Sequence, residues 1–357
     1  MLSSMPMAQP TKFDRSKSEH SADEIARVLE SDGIVLLPTE TVYGAFVRSG
    51  SQRARDRLFA LKGRPTTRGV AEYVSDVEDA ERRFGPLPAQ AIRLAEACWP
   101  GPLTLVVRTD PSLGLRCPRH PIFPEVLARV PEGVVGTSAN LSGEPAPKSI
   151  QQIPTTFLDE VDFALADEAA VTGRASTVIG LDPRDSEVPP SFRPVEWLRP
   201  GNLTPKELAP LLHPRLTFVC TGNTCRSPMA RAIASELWPV ELLGTVDFRS
   251  CGLSCAEGEP ASEGALAAAR KFGWDLSDHH SQPALRAGLL GSDVILVMTE
   301  SHRRHILSVL PRLAPRIIVL GGADGIPDPF GGSPEVYEDC ARSLKRSLSR
   351  LIKEWVP

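Results

Sequence analysis

The chain has 357 residues, a length that suits two domains, because single hydrophobic cores stop growing at about 250–300 residues. It is 41% hydrophobic and 24% charged with a net charge of −4, which excludes a largely disordered chain and argues against direct binding of nucleic acid. No apolar run approaches a membrane span, and residues 1–20 lack the apolar segment of a signal peptide. We expect a cytoplasmic protein without membrane contact, in which residues 1–20 form a loose leader.

A proline-rich stretch over residues 181–214 divides the chain, and its eight prolines predict irregular structure. On both sides, short apolar runs alternate with amphipathic helical patterns, which is typical of α/β domains. We therefore predict one domain over residues 21–205, a linker over 206–214 and a second domain over 215–357.

The first region begins with a helix, because Ser21 and Glu24 form a capping box. A buried strand over Ile34–Leu37 then runs into the sequence Pro-Thr-Glu-Thr-Val-Tyr-Gly. The apolar patterns that follow predict a helix and two strands, at Ala89–Cys98, Leu103–Arg108 and Val134–Gly136.

Basic residues cluster between positions 48 and 68 of this otherwise acidic region, with Asp56 as the single acid among them. Such a cluster indicates a local anion site that suits a polyphosphate. A solvated helix face accounts for the earlier members, but less well for Lys62-Gly63-Arg64-Pro65, because Gly and Pro mark a loop. The cluster consists of Arg48, Arg53, Arg55, Arg57, Lys62, Arg64 and Arg68.

The second region opens with a strand, Leu216–Val219, and continues as Cys-Thr-Gly-Asn-Thr-Cys-Arg-Ser from Cys220. A helix follows from near Ser227-Pro228. A loop that enters a helix directs free N–H groups and the positive end of the helix dipole inward, which suits a phosphate dianion and a thiolate. Gly222 allows a tight backbone path, and Arg226 can hold two phosphoryl oxygens. The spacing therefore predicts Cys220 as a nucleophile that forms a phosphocysteine.

The leaving group of such a reaction needs a proton donor. Asp328 stands between Pro327 and Pro329, and a carboxylate on a stiff loop suits a positioned acid and base. Without the cysteine loop, Asp328 would be interpreted as a turn residue. Strands are predicted at Val294–Met298 and Ile317–Leu320, and a long helix closes the chain from Ser333-Pro334.

Metal binding is the rival interpretation of the cysteines. Zinc pairs more often have two intervening residues, and a zinc site would give Arg226 no role, so the phosphate loop is favoured. His302 and His305 could form a metal pair, but a solvated helix face is favoured for them. The candidate zinc ligands are Cys220, Cys225, Cys251 and Cys255.

With Ser250-Cys251-Gly252-Leu253, Asp278-His279 and Asp328-Pro329-Phe330, the region from Leu216 to about Val356 resembles a low-molecular-weight protein tyrosine phosphatase. The resemblance implies a doubly wound parallel sheet, no cofactor, phosphorylated proteins as partners, and three catalytic residues, Cys220, Arg226 and Asp328. It also implies that Asn223 and Ser227 orient the loop and the thiolate. The remaining residues of the phosphate loop are Thr221, Gly222, Thr224 and Cys225.

Thr224 bears on the substrate. Tyrosine-specific members usually carry a bulky aliphatic residue here, and Thr is similar to the protein-arginine phosphatase subgroup. A short hydroxyl side chain suits a guanidinium better than a phenol ring, so phosphoarginine is favoured over phosphotyrosine. Cys225 could form a reversible disulfide with Cys220 that protects it from deeper oxidation.

Several stretches of the first region together resemble the YrdC-like domain of threonylcarbamoyl-AMP synthases. The resemblance implies a twisted mixed sheet with helices. It also implies the reaction of L-threonine, bicarbonate and ATP to threonylcarbamoyl-AMP and pyrophosphate, with ATP expected as its Mg²⁺ complex. The product feeds a tRNA modification, so other tRNA-modification proteins are possible partners, whereas the acidic balance argues against direct tRNA binding. The stretches are Pro38–Gly44, Leu61–Pro65, Trp99–Val106, Arg116, Thr137–Gly143, Ser176–Val178 and Leu198–Gly201.

This resemblance assigns two groups of residues and leaves one alternative open. The family usually has a His where Tyr73 stands, and residues 66–69 also depart from its pattern, so the first region could instead be a nucleotide-binding or regulatory module beside an active phosphatase. The implied ATP-binding residues are Lys62, Arg64, Arg68, Asn140 and Arg199. The implied threonine-binding residues are Thr41, Tyr73, Arg116, Ser138 and Ser176.

Overall fold

The computed structural model describes residues 22–63, 70–109, 111–167, 172–182 and 195–356. These residues divide into two compact units, of which unit 1 holds 22–87, 95–182 and 195–207 and unit 2 holds 88–94 and 208–356. Within the described residues, no helix is long and apolar enough to cross a membrane. The domain limits given above stay a prediction.

Unit 1 is built on a mixed sheet to which nine strands of the described residues contribute. They are β1 (Val35–Leu37), β2 (Gly44–Arg48), β3 (Ala71–Tyr73), β4 (Leu103–Val107), β5 (Leu113–Arg116), β6 (Val134–Ser138), β7 (Phe163–Ala164), β8 (Thr177–Leu181) and β9 (Glu196–Arg199). Their order is β7-β1-β2-β6-β3-β5-β4-β8-β9, and the pairs β1–β7, β3–β5 and β4–β8 are parallel. The predicted mixed sheet is confirmed.

Helices cover both faces of this sheet, because side chains alternate along its strands. Val35 and Phe46 pack in one buried cluster with α1 and α5, whereas Leu36 and Val47 pack in another with α2. The helices of the region are α1 (Ala22–Glu30), α2 (Gln52–Leu61), α3 (Val77–Phe84), α4 (Ala89–Cys98), α5 (Ile122–Arg129), α6 (Thr155–Leu158) and α7 (Pro205–Leu212).

The prediction of irregular structure throughout residues 181–214 is wrong for the described part of that stretch. Strand β9 pairs with β8, and α7 occupies most of the predicted linker. Pro205 is the first residue of α7, where the missing N–H has no partner to lose and the ring favours the helical φ. The many prolines of this stretch therefore indicate the beginning of a helix as well as loops.

Unit 2 contains a parallel sheet in the order β11-β10-β12-β13, formed by β10 (Arg215–Cys220), β11 (Asp247–Gly252), β12 (Val294–Val297) and β13 (Ile317–Val319). The predicted doubly wound α/β class is confirmed. Its core joins Phe218 and Leu296 of the sheet to Met229 and Leu344 of the helices. These helices are α8 (Arg226–Leu237), α9 (Val240–Leu243), α10 (Glu263–Phe272), α11 (Arg286–Leu290), α12 (Glu300–Val309) and α13 (Pro334–Trp355).

Candidate active sites

Cys220 is the last residue of β10, at the carboxyl edge of the parallel sheet. Strand β11 lies on one side of β10 and β12 on the other, so the winding of the chain reverses at β10. In open α/β sheets, ligands bind beyond the carboxyl ends of the strands at such a reversal. Helix α8 begins at Arg226, so residues 221–225 form the predicted loop between strand and helix.

The sulfur of Cys220 is surrounded by polar contacts although the residue is only 2% exposed. The backbone N–H of Asn223 donates to Sγ over 3.2 Å, and the Ser227 hydroxyl lies 3.0 Å from it. Hydrogen bonds to a charged group stabilise that group. The loop therefore suits a thiolate, and Asn223 and Ser227 supply these two contacts.

Asn223 gives the loop its shape. Its φ of 53° lies in the left-handed region, which Asn tolerates better than most side chains. Its Oδ1 accepts the N–H of Gln282 over 2.8 Å, its Nδ2 donates to Ser227 Oγ over 2.8 Å, and its carbonyl oxygen lies 2.6 Å from His279 Nε2. Sequence analysis assigned the tight path to Gly222, but Asn223 is the loop residue with a positive φ.

A glycine outside the loop allows it to approach the sheet. Gly252 ends β11 and is the register partner of Cys220. A Cβ at Gly252 would lie 2.7 Å from the Thr221 carbonyl oxygen and 3.0 Å from the Asn223 nitrogen. Both neighbours are backbone atoms that cannot move alone, so this close approach requires glycine.

Arg226 and Asp328 are in direct contact. Arg226 Nη2 donates to Asp328 Oδ2 over 2.5 Å, and Nη1 donates to the Ile326 carbonyl over 3.3 Å. Arg226 is 4% exposed, and its Nε has no hydrogen-bond partner among the described residues. The predicted anion binder, Arg226, and the predicted acid, Asp328, thus lie together beside the thiol loop. The buried Nε of Arg226 remains as a donor for a ligand.

Cys225 is a buried free thiol in a polar setting. Its Sγ lies 3.1 Å from Ser262 Oγ, 3.7 Å from Thr224 Oγ1 and 3.9 Å from the Tyr337 hydroxyl. Burial raises the pKa of another thiol, that of Cys251 in β11, to about 12. Within the part of the chain that the structure describes, no three His, Cys, Asp or Glu side chains form a group that could hold a metal ion.

The prediction of a solvated helix face for the two histidines is wrong for His302. His305 is exposed, but His302 is 8% exposed, and its Nε2 lies 3.0 Å from Thr221 Oγ1 in the loop. Its Nδ1 lies 2.8 Å from the hydroxyl of Thr299, the N-cap of α12. Burial, reinforced by the charge of Arg226, lowers the pKa of His302 to about 4.

Unit 1 contains a cavity of about 350 Å³ that many of the predicted ligand-binding residues line. The predicted residues in its lining come from β3, β5, β6 and β9 and from the residue before β8, so segments far apart in sequence form one site. A volume of this size suits a small-molecule site. The predicted residues in its lining are Tyr73, Arg116, Ser138, Ser176 and Arg199.

Arg116 is the centre of a buried polar cluster. Its Nη2 donates to Glu40 Oε1 over 3.0 Å, to Thr39 Oγ1 over 3.2 Å and to the Thr41 hydroxyl. Arg116 is 6% exposed, and its Nε has no hydrogen-bond partner among the described residues. The Tyr73 ring lies 5.9 Å from the guanidinium carbon, and burial raises the pKa of this tyrosine.

Ser176 and Arg199 form a second polar group in the cavity wall. Arg199 Nη2 donates to Ser176 Oγ over 2.8 Å, and Thr104 Oγ1 lies 2.8 Å from the same atom. Burial, and then the neighbouring charge of Arg116, lowers the pKa of Arg199. With Arg108, three arginines therefore line a cavity of moderate size, which is an environment for an anionic ligand.

Lys62 and Asn140 contact each other next to Ser138, which lines the cavity. Lys62 Nζ donates to the Ser138 carbonyl over 2.6 Å and to Asn140 Oδ1 over 3.2 Å. Asn140 lines a separate small cavity with residues 144–147. Arg64 and Arg68 lie outside the described residues, as do residues 66–69 of the divergent segment.

The basic cluster of unit 1 is not one anion site, because long-range carboxylates neutralise several members. Arg48 pairs with Asp32 over 2.8 Å, Arg55 pairs with Glu72 over 2.9 Å, and Arg57 lies 3.1 Å from Asp162. These acids are distant in sequence, so the local excess of charge gave no sign of them.

Comparisons with known proteins place both halves of the chain. Residues 215–355 match the family model described as low molecular weight phosphotyrosine protein phosphatase, and residues 27–193 match the model Sua5_yciO_yrdC, described as telomere recombination. The chain is 37% identical to a low molecular weight protein-tyrosine-phosphatase of Staphylococcus epidermidis, covering 35% of this chain and 86% of that one. It is 34% identical to a protein-arginine-phosphatase of Geobacillus stearothermophilus, covering 39% and 95%.

The chain therefore belongs to the low-molecular-weight phosphatase family through unit 2, and it carries a Sua5/YciO/YrdC-type domain in unit 1. In the first region it is 31% identical to a threonylcarbamoyl-AMP synthase of Pyrococcus abyssi, covering 49% of this chain and 52% of that one. The chain thus spans 52% and 58% of the lengths of the curated synthases of Pyrococcus abyssi and Bacillus subtilis.

Sequence reasoning missed the residues that support the predicted ones. Glu40, Thr104 and His302 each contact a candidate site residue, and Gly252 lets the thiol loop approach β11. Glu40 lies inside Pro38–Gly44, one of the stretches that resemble the synthase family, and this resemblance could have identified it. Thr104 likewise lies inside the Trp99–Val106 stretch. His302 was considered only as half of a metal pair, because its partner Thr221 is distant in sequence.

Proposed function

We propose that unit 2 is a protein phosphatase that acts through a phosphocysteine. This proposal rests on one observation. The Cys220 thiol, with its two polar contacts, lies in the same loop-to-helix segment as the buried Arg226 donor at the N-terminus of α8. Phosphate oxygens would accept from the loop N–H groups and from Arg226, which suit a trigonal-bipyramidal transition state.

In the first step, the Cys220 thiolate attacks phosphorus, and the bond from phosphorus to the leaving oxygen or nitrogen breaks. Asp328 gives its proton to the leaving group, and in the second step it takes a proton from the water that attacks the phosphocysteine. Phosphate leaves and the thiolate returns. Asp328 must part from Arg226 before it can act, and an incoming phosphate provides the competing anion for the guanidinium.

The substrate class that we propose is phosphoarginine or phosphotyrosine in proteins, with phosphoarginine favoured by Thr224. Support comes from the relatives, which include enzymes named for each substrate. Oxidation of Cys220 to a disulfide with Cys225 would have to draw Cys225 away from Ser262.

The test is phosphate release from phosphoarginine and phosphotyrosine peptides by the full chain. Cys220→Ser should abolish release, because serine is a far weaker nucleophile here, while circular dichroism stays unchanged. Cys255→Ser, which changes a half-buried thiol outside the loop, is the matched control and should keep full activity. Turnover retained in Cys220→Ser would refute the thiol mechanism.

For unit 1 we propose the ATP-dependent synthesis of threonylcarbamoyl-AMP from L-threonine and bicarbonate, with release of pyrophosphate and water. The buried, unpaired Nε of Arg116 in the cavity carries this proposal, because it suits the carboxylate of an amino acid. Ser138 and Ser176 would hold the remaining polar groups of threonine, with Tyr73 and Thr41 fixing Arg116. The nucleotide would lie toward Lys62, Asn140 and Arg199.

Magnesium would enter as part of the nucleotide substrate. The described charged residues that line the cavity are arginines, and Glu40 is engaged by Arg116, so these residues supply no carboxylate group for a resident metal. Holding the threonine carbamate beside the α-phosphate would supply most of the rate enhancement, since the carbamate is short-lived in water.

Pyrophosphate release from ATP tests this activity. Release should require both threonine and bicarbonate. The divergence at Tyr73 favours a second candidate, a nucleotide-binding or regulatory module, and ATP binding by folded protein without any release of pyrophosphate would establish that candidate instead.

A further inference from the structure

His302 lies in unit 2 beside the phosphatase site, and the proposed chemistry does not use it. It projects from the first turn of α12 toward the thiol loop, and both ring nitrogens have hydroxyl partners. Nε2 is 3.0 Å from Thr221 Oγ1, and Nδ1 is 2.8 Å from Thr299 Oγ1. An imidazole that is 8% exposed and bonded at both nitrogens has a fixed orientation.

The hydrogen-bond network assigns the tautomer. Thr221 Oγ1 accepts from Arg226 Nη2 over 3.5 Å, so its own proton is free to point at His302 Nε2. Nδ1 then carries the ring proton and donates it to Thr299 Oγ1, which also accepts the His302 backbone N–H over 3.3 Å. The ring is neutral in this arrangement, and the lowered pKa of about 4 agrees with it.

Burial and then the charge of Arg226 favour the neutral ring, against the opposing charge of Asp328. Arg226 of α8 and Asp328 of the loop before α13 face it, and His305 follows on its own helix. A protonated ring would need its Nε2–H to compete with Arg226 for one hydroxyl oxygen. The neutral ring instead accepts from Thr221 and leaves that oxygen oriented toward the guanidinium.

We propose that His302 is a positioning residue for Arg226, which acts by fixing the hydroxyl of Thr221. This inference rests on the proposed phosphatase activity. When a phosphate draws Arg226 away from Asp328, the guanidinium loses one of its partners. The Thr221 oxygen, held by His302, then remains as an acceptor that keeps Nη2 near the loop, so that Arg226 meets the phosphate in one orientation.

The experiment compares four variants of the full chain: His302→Leu, His302→Gln, Thr221→Val and the double variant His302→Leu/Thr221→Val. We expect His302→Leu and Thr221→Val each to lower kcat/KM about tenfold and to weaken competitive inhibition by inorganic phosphate. The double variant should lose no more than the worse single one, because both act through one hydrogen bond. His302→Gln, whose amide oxygen can accept from Thr221, should recover most of the loss.

His305→Gln is the matched control, since this histidine is exposed on the same helix, and it should behave as the parent chain. Losses that add in the double variant, or a lower Tm with unchanged kcat/KM and unchanged inhibition by phosphate, would overturn the inference by showing a structural role alone. A parent chain with no phosphatase activity would overturn the proposed function itself. An active parent matched by His302→Leu would overturn only this inference.

Discussion

The two candidate sites differ in how the chain builds them. The candidate phosphatase site has its proposed nucleophile, anion donors and arginine within one strand–loop–helix segment, residues 220–227. The cavity of unit 1 instead combines residues from seven separate segments of the chain. A contiguous site can be inferred from spacing because local backbone geometry fixes its chemistry, whereas a dispersed site depends on strand order.

The supporting residues differ in the same way. In the loop, the proposed anion donors include backbone N–H groups at a helix N-terminus, so the site would need few side chains. In the cavity, Arg116 is held by Glu40, and Arg199 is held by Ser176, so each arginine needs a dedicated partner. Substitutions of partners should therefore affect the cavity more than the loop.

The largest effect is expected from Arg116. Arg116→Gln alone would leave the Glu40 carboxylate buried without its cation, which destabilises the fold as well as the site. The double variant Arg116→Gln/Glu40→Gln should fold like the parent but need about 100-fold more threonine for pyrophosphate release, because a charge-assisted pair to the substrate carboxylate is lost. The readout is KM for threonine together with Tm. An unchanged KM in the folded double variant would remove Arg116 from the threonine site.

Thr224→Ile should change the substrate preference of the loop without harming its fold. Thr224 is a partly buried side chain whose Oγ1 makes only a long contact, 3.7 Å, with Cys225 Sγ. Replacing its hydroxyl by an aliphatic chain should move the ratio of kcat/KM for phosphoarginine and phosphotyrosine peptides about tenfold toward phosphotyrosine. Equal ratios in the parent and the variant would show that Thr224 does not discriminate.

Two glycine substitutions test which glycine the loop requires. Gly252→Ala forces a Cβ against backbone at 2.7 Å, so the free energy of unfolding should fall by about 1–3 kcal/mol and phosphate release should slow. Gly222→Ala meets its nearest described neighbour, Thr224 Oγ1, at 3.5 Å, an ordinary contact. Its Tm should match that of the parent. The reverse order of Tm values would contradict the placement of β11 against the loop.

The smallest effect concerns acid stability. The pKa of His302 is lowered by burial to about 4, against about 6.5 in an unfolded chain. Between these values the unfolded chain binds a proton that the folded chain does not, so the free energy of unfolding falls as the pH falls from about 6.5 to 4. Tm should therefore drop less between pH 7 and pH 5 in His302→Gln than in the parent or in His305→Gln. Equal drops would contradict the buried, neutral ring.

Local patterns in the sequence predicted the elements on which both sites stand. The helix predicted at Ala89–Cys98 has the same bounds in the structure, and the strand and helix around Cys220 differ by one or two residues. Strand β2 and helix α7 were not predicted, because one lies in a motif without clear alternation and the other begins and continues through prolines.

Contacts between residues that are distant in the sequence could not be predicted from it. His302 has the spacing of a surface helix, and only the packing of α12 beside β12 and β13 brings it to Thr221. The same holds for the acids that neutralise Arg48, Arg55 and Arg57, which come from other elements. Charge counts along the chain cannot reveal such pairs, since their energies depend on distance in space.

The most direct test of two independent activities in one chain is a reciprocal assay of phosphate release and pyrophosphate release. Both would be measured on the parent, Cys220→Ser and Lys62→Ala chains. We predict that the parent shows both activities, that Cys220→Ser loses only phosphate release, and that Lys62→Ala loses only pyrophosphate release. A folded parent that binds ATP but releases no pyrophosphate with threonine and bicarbonate would contradict the account and leave unit 1 as a regulatory module.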